Sequence, residues 1–277
     1  MGLRVSTNIA AVNAQRNLVT SQRVIQNSMA QLASGSRINK AADDAAGLAI
    51  SEGLKSQLRS GLQATRNAND GISMIQTGEG GLNEISNIVT RLRELAIQGA
   101  SDTVGDTERK FLDKEVQQMK SEIDRIANVT TWGTTKLLDG NSPQFDFQVG
   151  LYGDATDNRI SWDPSENNAT LDGLDLSSLD FTSKDGAQDA LALLDTAQSN
   201  VNGMRSNMGA LQNRMTSTVD NLMNQHENLS AANSRIRDTD VAQSSSEMTR
   251  NNILLQAGVS TMAQANSINS VALKLIG

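Results

Sequence analysis

From Leu194 to Ile236 an apolar residue recurs at every third and fourth position: Leu194, Ala197, Val201, Met204, Met208, Leu211, Met215, Leu222, Leu229, Ala232 and Ile236, with Thr218 and Gln225 as polar exceptions. Spacing that alternates three and four averages 3.5 residues, the period of a helix that supercoils left-handedly against partners. No proline interrupts the run. At 1.5 Å per residue such a helix spans roughly 65 Å. A compact globule of the chain's 277 residues has a diameter of only about 50 Å. The run therefore predicts a mainly α fold: an elongated rod of long, coiled-coil-like helices.

The rest of the chain is consistent with helix-on-helix packing and poor in catalytic groups. Aromatic residues make up 3%, and the two prolines, Pro143 and Pro164, both lie in the middle. The lack of cysteine excludes disulfides, thiolate metal sites and thiol nucleophiles. The single histidine, His226, precedes Glu227, but no second histidine completes a zinc-protease motif. Asp43 and Asp44 are neighbours about 100° apart on a helix, a placement for capping or ion pairing rather than acid and base work. Gly78-Glu79-Gly80-Gly81 lacks the Lys-Ser or Lys-Thr of a phosphate loop and reads as a helix bend or register adjustment. Asp172, Asp175 and Asp180 do not have the spacing of a calcium loop. No catalytic residue, cofactor or metal site is expected, and hence no enzyme.

Charge is unevenly spread. Residues Met1 to Ala42 carry Arg4, Arg16, Arg23, Arg37 and Lys40 and no acid, whereas Asp139 to Asp195 carry twelve acids against Arg159 and Lys184. The basic start has the character of a transit peptide or surface-binding helix, but its helical pattern continues past any cleavage point. It also lacks the uninterrupted apolar stretch of a cleaved signal peptide. Asn251 to Leu273 is uncharged, yet its six Asn and Gln residues make it too polar to cross a membrane. Neither membrane insertion nor nucleic-acid binding is expected.

In chain order, Val5, Ile9, Val12 and Val19 give way to a shifted set, Leu18, Ile25, Met29 and Leu32, predicting a helix of about 30 residues with Ser6 or Thr7 as N-cap. Ser34-Gly35-Ser36 ends it. A second helical region carries Leu48, Leu58, Leu62, Ile72 and Ile75 before sharpening into Leu82, Ile85, Val89, Leu92 and Ala96. After a turn at Gly99 to Gly105, Asp106 or Thr107 caps a third helix seamed by Leu112, Val116, Met119, Ile123 and Ile126. These two are the expected bundle partners of the long helix. Phe145, Phe147 and Val149, then Ile160 and Trp162, alternate with polar residues and predict a β-hairpin. Acidic irregular chain follows, and Lys184 or Asp185 begins the long helix. A last helix after Asp240 carries Leu254, Thr261, Ile268 and Leu275 on a heptad, supported by Leu255, Val259, Met262 and Val271. Both terminal helices need a partner to bury their stripes, so they are expected to pair with each other and with neighbouring copies. The expected segments are 1–43, 44–184, 185–236 and 237–277.

Specific strings add a family likeness. Leu32-Ala33-Ser34-Gly35-Ser36-Arg37-Ile38-Asn39-Lys40-Ala41-Ala42-Asp43-Asp44-Ala45-Ala46-Gly47-Leu48-Ala49-Ile50 closely resembles the N-terminal signature of bacterial flagellins. So do Leu92-Arg93-Glu94-Leu95-Ala96-Ile97-Gln98, Glu122-Ile123-Asp124-Arg125-Ile126-Ala127, Ile236-Arg237-Asp238-Thr239-Asp240, Leu255-Gln256-Ala257-Gly258 and Ala263-Gln264-Ala265-Asn266. Two departures are visible. Trp132-Gly133-Thr134-Thr135 stands where the family usually has Phe-Asn-Gly, and the chain ends in Leu275-Ile276-Gly277 where many members end in leucines and arginine. The resemblance implies a short form without the family's large outer domains.

It further implies a secreted structural subunit that self-polymerises into the extracellular flagellar filament used for motility. The terminal helices would line an inner tube, with Val5, Ile9, Val12, Leu255, Val259, Met262 and Leu275 as the assembly residues. Unfolded export, a chaperone on the C-terminal region and polymerisation beneath a cap protein are implied with it. Arg91, Leu95 and Glu115 match positions by which a vertebrate innate immune receptor recognises the family. A hook-filament junction protein is the alternative reading.

Overall fold

The computed structural model describes residues 7–274, with side chains through Ser267. In chain order the elements are helices α1 (Ile9–Ser34), α2 (Ala45–Gly99) and α3 (Asp106–Val129), then strands β1 (Thr131–Trp132), β2 (Thr135–Lys136) and β3 (Phe145–Gln148). A short helix α4 (Ala155–Asn158), strand β4 (Arg159–Trp162) and a 3-10 turn at Pro164–Asn167 lead to helices α5 (Lys184–Arg237) and α6 (Val241–Lys274). The fold is mainly α, as the periodicity predicts. Residues 59–227 form one compact unit; those up to 58 and from 228 onward form a second. The expected segment limits lie near helix ends, whereas the units divide inside α2 and α5.

The larger unit is built on the predicted seam. Ala187, Leu194, Val201, Met208, Met215 and Leu222 recur every seven residues along α5, and all are buried. Each apolar side chain of that size contributes about 1.5–3 kcal/mol when removed from water. Opposite them α2 offers Leu82, Ile85, Val89, Leu92 and Ala96, none more than 1% exposed. The helices run antiparallel. Gly71 faces Met215, Gly78 faces Met208, Gln198 Nε2 donates to the Ser86 hydroxyl at 2.8 Å, and Arg93 bonds Asp195 at 2.6 Å. A β-carbon on Gly71 or Gly78 would stand 3.0 Å from the facing methionine, so the glycines permit close approach within an unbroken helix. From α3, Val116, Ile123 and Ala127 complete the core.

Two buried cations hold connecting chain onto this core. Arg109, 7% exposed, donates to the carbonyls of Gly99 and Ser101 at 2.9 and 3.0 Å and bonds Asp106 at 2.9 Å, fixing the α2–α3 turn. Neither expected residue caps α3. Gly105 is its N-cap, and Asp106 instead lies in the first turn, where its charge suits the helix dipole. Lys120 donates to the carbonyl of Ser177 at 2.8 Å and so ties down the acidic segment before α5.

The predicted hairpin is β3 and β4, antiparallel, with Phe145 opposite Trp162 and Phe147 opposite Ile160. The Phe145 and Trp162 rings stack with centroids 5.8 Å apart. A second hairpin, β1 with β2, was not foreseen. Its two-residue connection places Gly133 at φ 61°, the left-handed conformation that the first central residue of such a turn requires. Within Trp132-Gly133-Thr134-Thr135 it is therefore Gly133 on which the turn depends.

The smaller unit is the antiparallel pair α1 and α6 with its connector. Asn8 caps α1, its Oδ1 accepting from the Ala11 amide at 3.1 Å. Thr7 does not fill that role, and Ser6 lies outside the described residues. At the other end Gly35 adopts φ 68°, and the chain turns into a one-residue β-bridge, Ser36 with Asp238. The Arg37 amide donates to the Arg237 carbonyl at 2.6 Å and the Thr239 amide to the Gly35 carbonyl at 3.0 Å. Asp43 accepts from the amides of Asn39 and Lys40 at 3.1 and 2.9 Å, and Asp44 from the Gly47 amide at 2.8 Å. The paired carboxylates are thus loop and helix caps. Asp240 caps α6 through the Ala242 and Gln243 amides. Glu52 bonds the Arg237 guanidinium, which holds its carboxyl below the ordinary range, with Lys55 adding a smaller effect.

Leu92→Ala should cost about 2–5 kcal/mol, read as a lower urea midpoint. Gly81→Val should also destabilise, because its β-carbon would stand 2.7 and 2.8 Å from Thr130 and Leu138 side-chain atoms. The depressed Glu52 carboxyl stabilises the connector above its unfolded pKa, and that contribution fades as pH falls through the lower folded value. Glu52→Gln should therefore be less stable than wild type at neutral pH, with the gap closing in acid, as thermal melts across pH would show.

Candidate assembly and recognition surfaces

Helix α1 has two apolar faces, which explains why its sequence pattern shifts register. Leu18, Ile25 and Leu32 are half-buried and Ser28 is buried; together with Ala11, Ala14 and Ser21 they form a three-four seam toward α6. The contact is direct at Gly258, where a β-carbon would stand 2.7 Å from Leu18, and at Asn8, whose side-chain amide donates to the Ala265 carbonyl at 2.9 Å. On the opposite side, Ile9, Val12, Arg16, Val19 and Arg23 fall within about 80° of one another. Ile9 is 60% exposed and Val12 and Val19 are 51% exposed.

Helix α6 also buries one face, but its exposed apolar residues point about 100–140° apart around the helix and form no single outer stripe. Ser244 is buried, and Met248, Asn251, Leu255, Gly258, Met262 and Ala265 are half-buried on the seam. Ile253, Leu254 and Val259 are 61%, 51% and 49% exposed. The expected assembly residues therefore separate. Ile9, Val12 and Val259 are exposed and free to meet another molecule, whereas Leu255 and Met262 share the face of Gly258 that packs on α1 within the chain. Val5 and Leu275 lie outside the described residues. The outer stripe continues through Val19, as the sequence pattern expects, and what that pattern did not include is its interleaving with Arg16 and Arg23.

In the larger unit, Arg91 and Glu115 stand side by side on α2 and α3. The guanidinium bonds Glu115 at 3.0 Å and Glu94 at 2.9 Å, and those carboxylates, Glu94 first, raise its pKa further. Arg91 is exposed and Glu115 half-buried. Leu95 is 1% exposed because it falls on the core seam beside Leu92 and Ala96; its side chain is not on the surface the other two share.

No group of three or more histidine, cysteine or acidic side chains among the described residues could hold a metal ion. His226 lies half-buried on α5. Among the described residues no helix is long and apolar enough to cross a membrane. The geometry offers surfaces for association.

Comparison with known proteins agrees with the motifs and the architecture. Residues 5–142 match the bacterial flagellin N-terminal helical region, and residues 191–276 match the bacterial flagellin C-terminal helical region. A flagellin of Halalkalibacterium halodurans is 42% identical over 272 residues, 98% of this chain and 99% of that protein. The flagellin of Bacillus subtilis is 38% identical over 306 aligned positions, covering 99% and 100%. The crystal structure of Bacillus cereus flagellin, 31% identical, superposes with a TM-score of 0.50 over 61% of this chain and 94% of that one. Two family regions flanking a short central hairpin segment, with near full-length identity to filament proteins, establish that the chain belongs to the bacterial flagellin family.

Proposed function

We propose that copies of this flagellin polymerise through the outer stripe of α1 and the exposed apolar residues of α6. Family membership makes the chain a structural filament subunit and does not favour the hook-associated alternative. The observation supporting the finer reading is the exposed apolar surface of both terminal helices: Ile9, Val12 and Val19 on one stripe of α1, and Ile253, Leu254 and Val259 spread around α6. The pair has little core of its own. The one fully buried side chain described on α1 is that of Ser28, so burial of these exposed residues against neighbours supplies stabilisation that the seam lacks.

The same reading extends to partners and location. The chain is secreted, passing unfolded through the flagellar export channel, attended by a chaperone on its C-terminal region and polymerising beneath a cap protein. Arg91 and Glu115 contact the vertebrate innate receptor, with Leu95 supporting them from beneath. The reading is supported by their adjacency at the surface and short mutual bond, together with the match to the family's recognition positions.

Val12→Asp should abolish seeded filament growth while leaving the monomer's circular dichroism unchanged, because the residue is exposed on the face away from α6. Leu255→Ala should instead lower the helicity of the free monomer. Filaments forming at wild-type yield from Val12→Asp would refute the outer-stripe assignment. Arg91→Ala should lower receptor activation in a cell reporter assay by about tenfold, the size of losing one charge-assisted contact; an unchanged response would remove Arg91 from the recognition surface.

A further inference from the structure

The acids of the smaller unit are nearly all committed. Asp43, Asp44 and Asp240 accept backbone amides as caps, and Glu52 bonds Arg237 and Lys55. Among the described residues that leaves Asp238, at the connector bridge, and Glu247, the only acid on α6. Glu247 is exposed, and among the described residues its carboxylate has one polar contact, a 3.4 Å bond from Gln243 of its own helix. Leu254 follows it by seven residues and so lies on the same face. Beside that face runs a shallow groove bounded by Ser245, Ser246, Thr249, Arg250, Ile253 and Leu254.

The stripe on α1 has the opposite character. Arg16 and Arg23 alternate with Ile9, Val12 and Val19, and no acid occurs anywhere from Met1 to Ala42. Among the described residues the Arg16 guanidinium bonds only Asn13 of its own helix, and Arg23 has no ion-pair partner. Docking this stripe against another α1 would juxtapose arginines. Docking it along the uncharged stretch from Asn251 to Leu273 would strip water from guanidinium groups without an anion to replace it, which is costly. A neighbour's α6 near Glu247 supplies the missing anion on the same face as exposed Leu254. Arg250, one turn further on, repels the same arginines and so disfavours a shifted register.

We infer that, between copies of this chain, Arg16 and Arg23 of one α1 pair with Glu247 of a neighbouring α6, and that this pairing sets the register in which the outer stripe of α1 docks on the face of α6 that carries Glu247 and Leu254. The inference rests on the assembly reading above and names its register-determining contact.

A charge-swap experiment on the full chain tests it, with seeded growth followed by light scattering and sedimentation. R16E/R23E and E247R should each slow growth at least about tenfold, with monomer circular dichroism unchanged, and the combination of all three should recover to within about threefold of wild type. Wild-type growth by R16E/R23E, or a combined variant no better than its parents, would overturn the pairing while leaving the filament reading standing. Failure of the wild-type chain to polymerise on seeds would instead overturn that reading and the inference with it. Should a reversed variant not fold, R16Q/R23Q, E247Q and their combination form an equivalent cycle, in which strict additivity of the effects on growth overturns the pairing and non-additivity supports it.

Discussion

The antiparallel seam between α2 and α5 is the constraint on which the larger unit depends. Its seven-residue spacing keeps one face of α5 against α2 from Ala187 to Leu222, and every other feature of the unit is attached to it. Helix α3 packs into the same core, the hairpin of β3 and β4 adds Ile160 and Trp162, and Arg109 and Lys120 bind loop carbonyls from buried positions. Those cations are tolerated because backbone oxygens replace the water they lose.

The parts of the fold legible in the sequence were those where packing is done by large apolar side chains. The α5 seam, the Leu82 to Ala96 stretch and the Val116 to Ile126 stretch all declared themselves by period. The first half of the larger unit's share of α2 did not. Its buried face runs through Gly61, Ala64, Ala68, Gly71, Ile75 and Gly78, mostly residues whose small size is the reason they pack there and whose low hydropathy hides them. Leu62 and Ile72, which the eye picks out first, stand beside that face, Leu62 at 47% exposure. The β1–β2 hairpin was hidden for a related reason, since two-residue strands carry no period and Gly133 was the only cue.

The surfaces show a different limit. One helix bearing two apolar faces reads as a single pattern that slips, and the sequence alone could not say whether Ile9, Val12 and Val19 or Leu18, Ile25 and Leu32 faced inward. Small residues on α6 settle the matter, because Gly258 admits Leu18. Motifs far apart in sequence proved to be one structure as well. Ser34 to Lys40 and Ile236 to Asp240 meet in the connector, where backbone hydrogen bonds and caps explain the residue types at each place. Leu95, by contrast, is legible as core from its spacing with Leu92, and a motif match alone does not reveal that.

The composition of the α1–α6 seam bears on how a filament starts. Serines at 21, 28 and 244, Asn251 and Gly258 occupy positions where a self-sufficient pair would carry leucine or isoleucine. Two free copies that meet must both order a pair that gains little from its own burial, so spontaneous nuclei are disfavoured. A copy arriving at an existing end finds ordered neighbours already in place and bears that entropic penalty once. The weakness of the seam thereby separates nucleation from elongation, making growth dependent on a template.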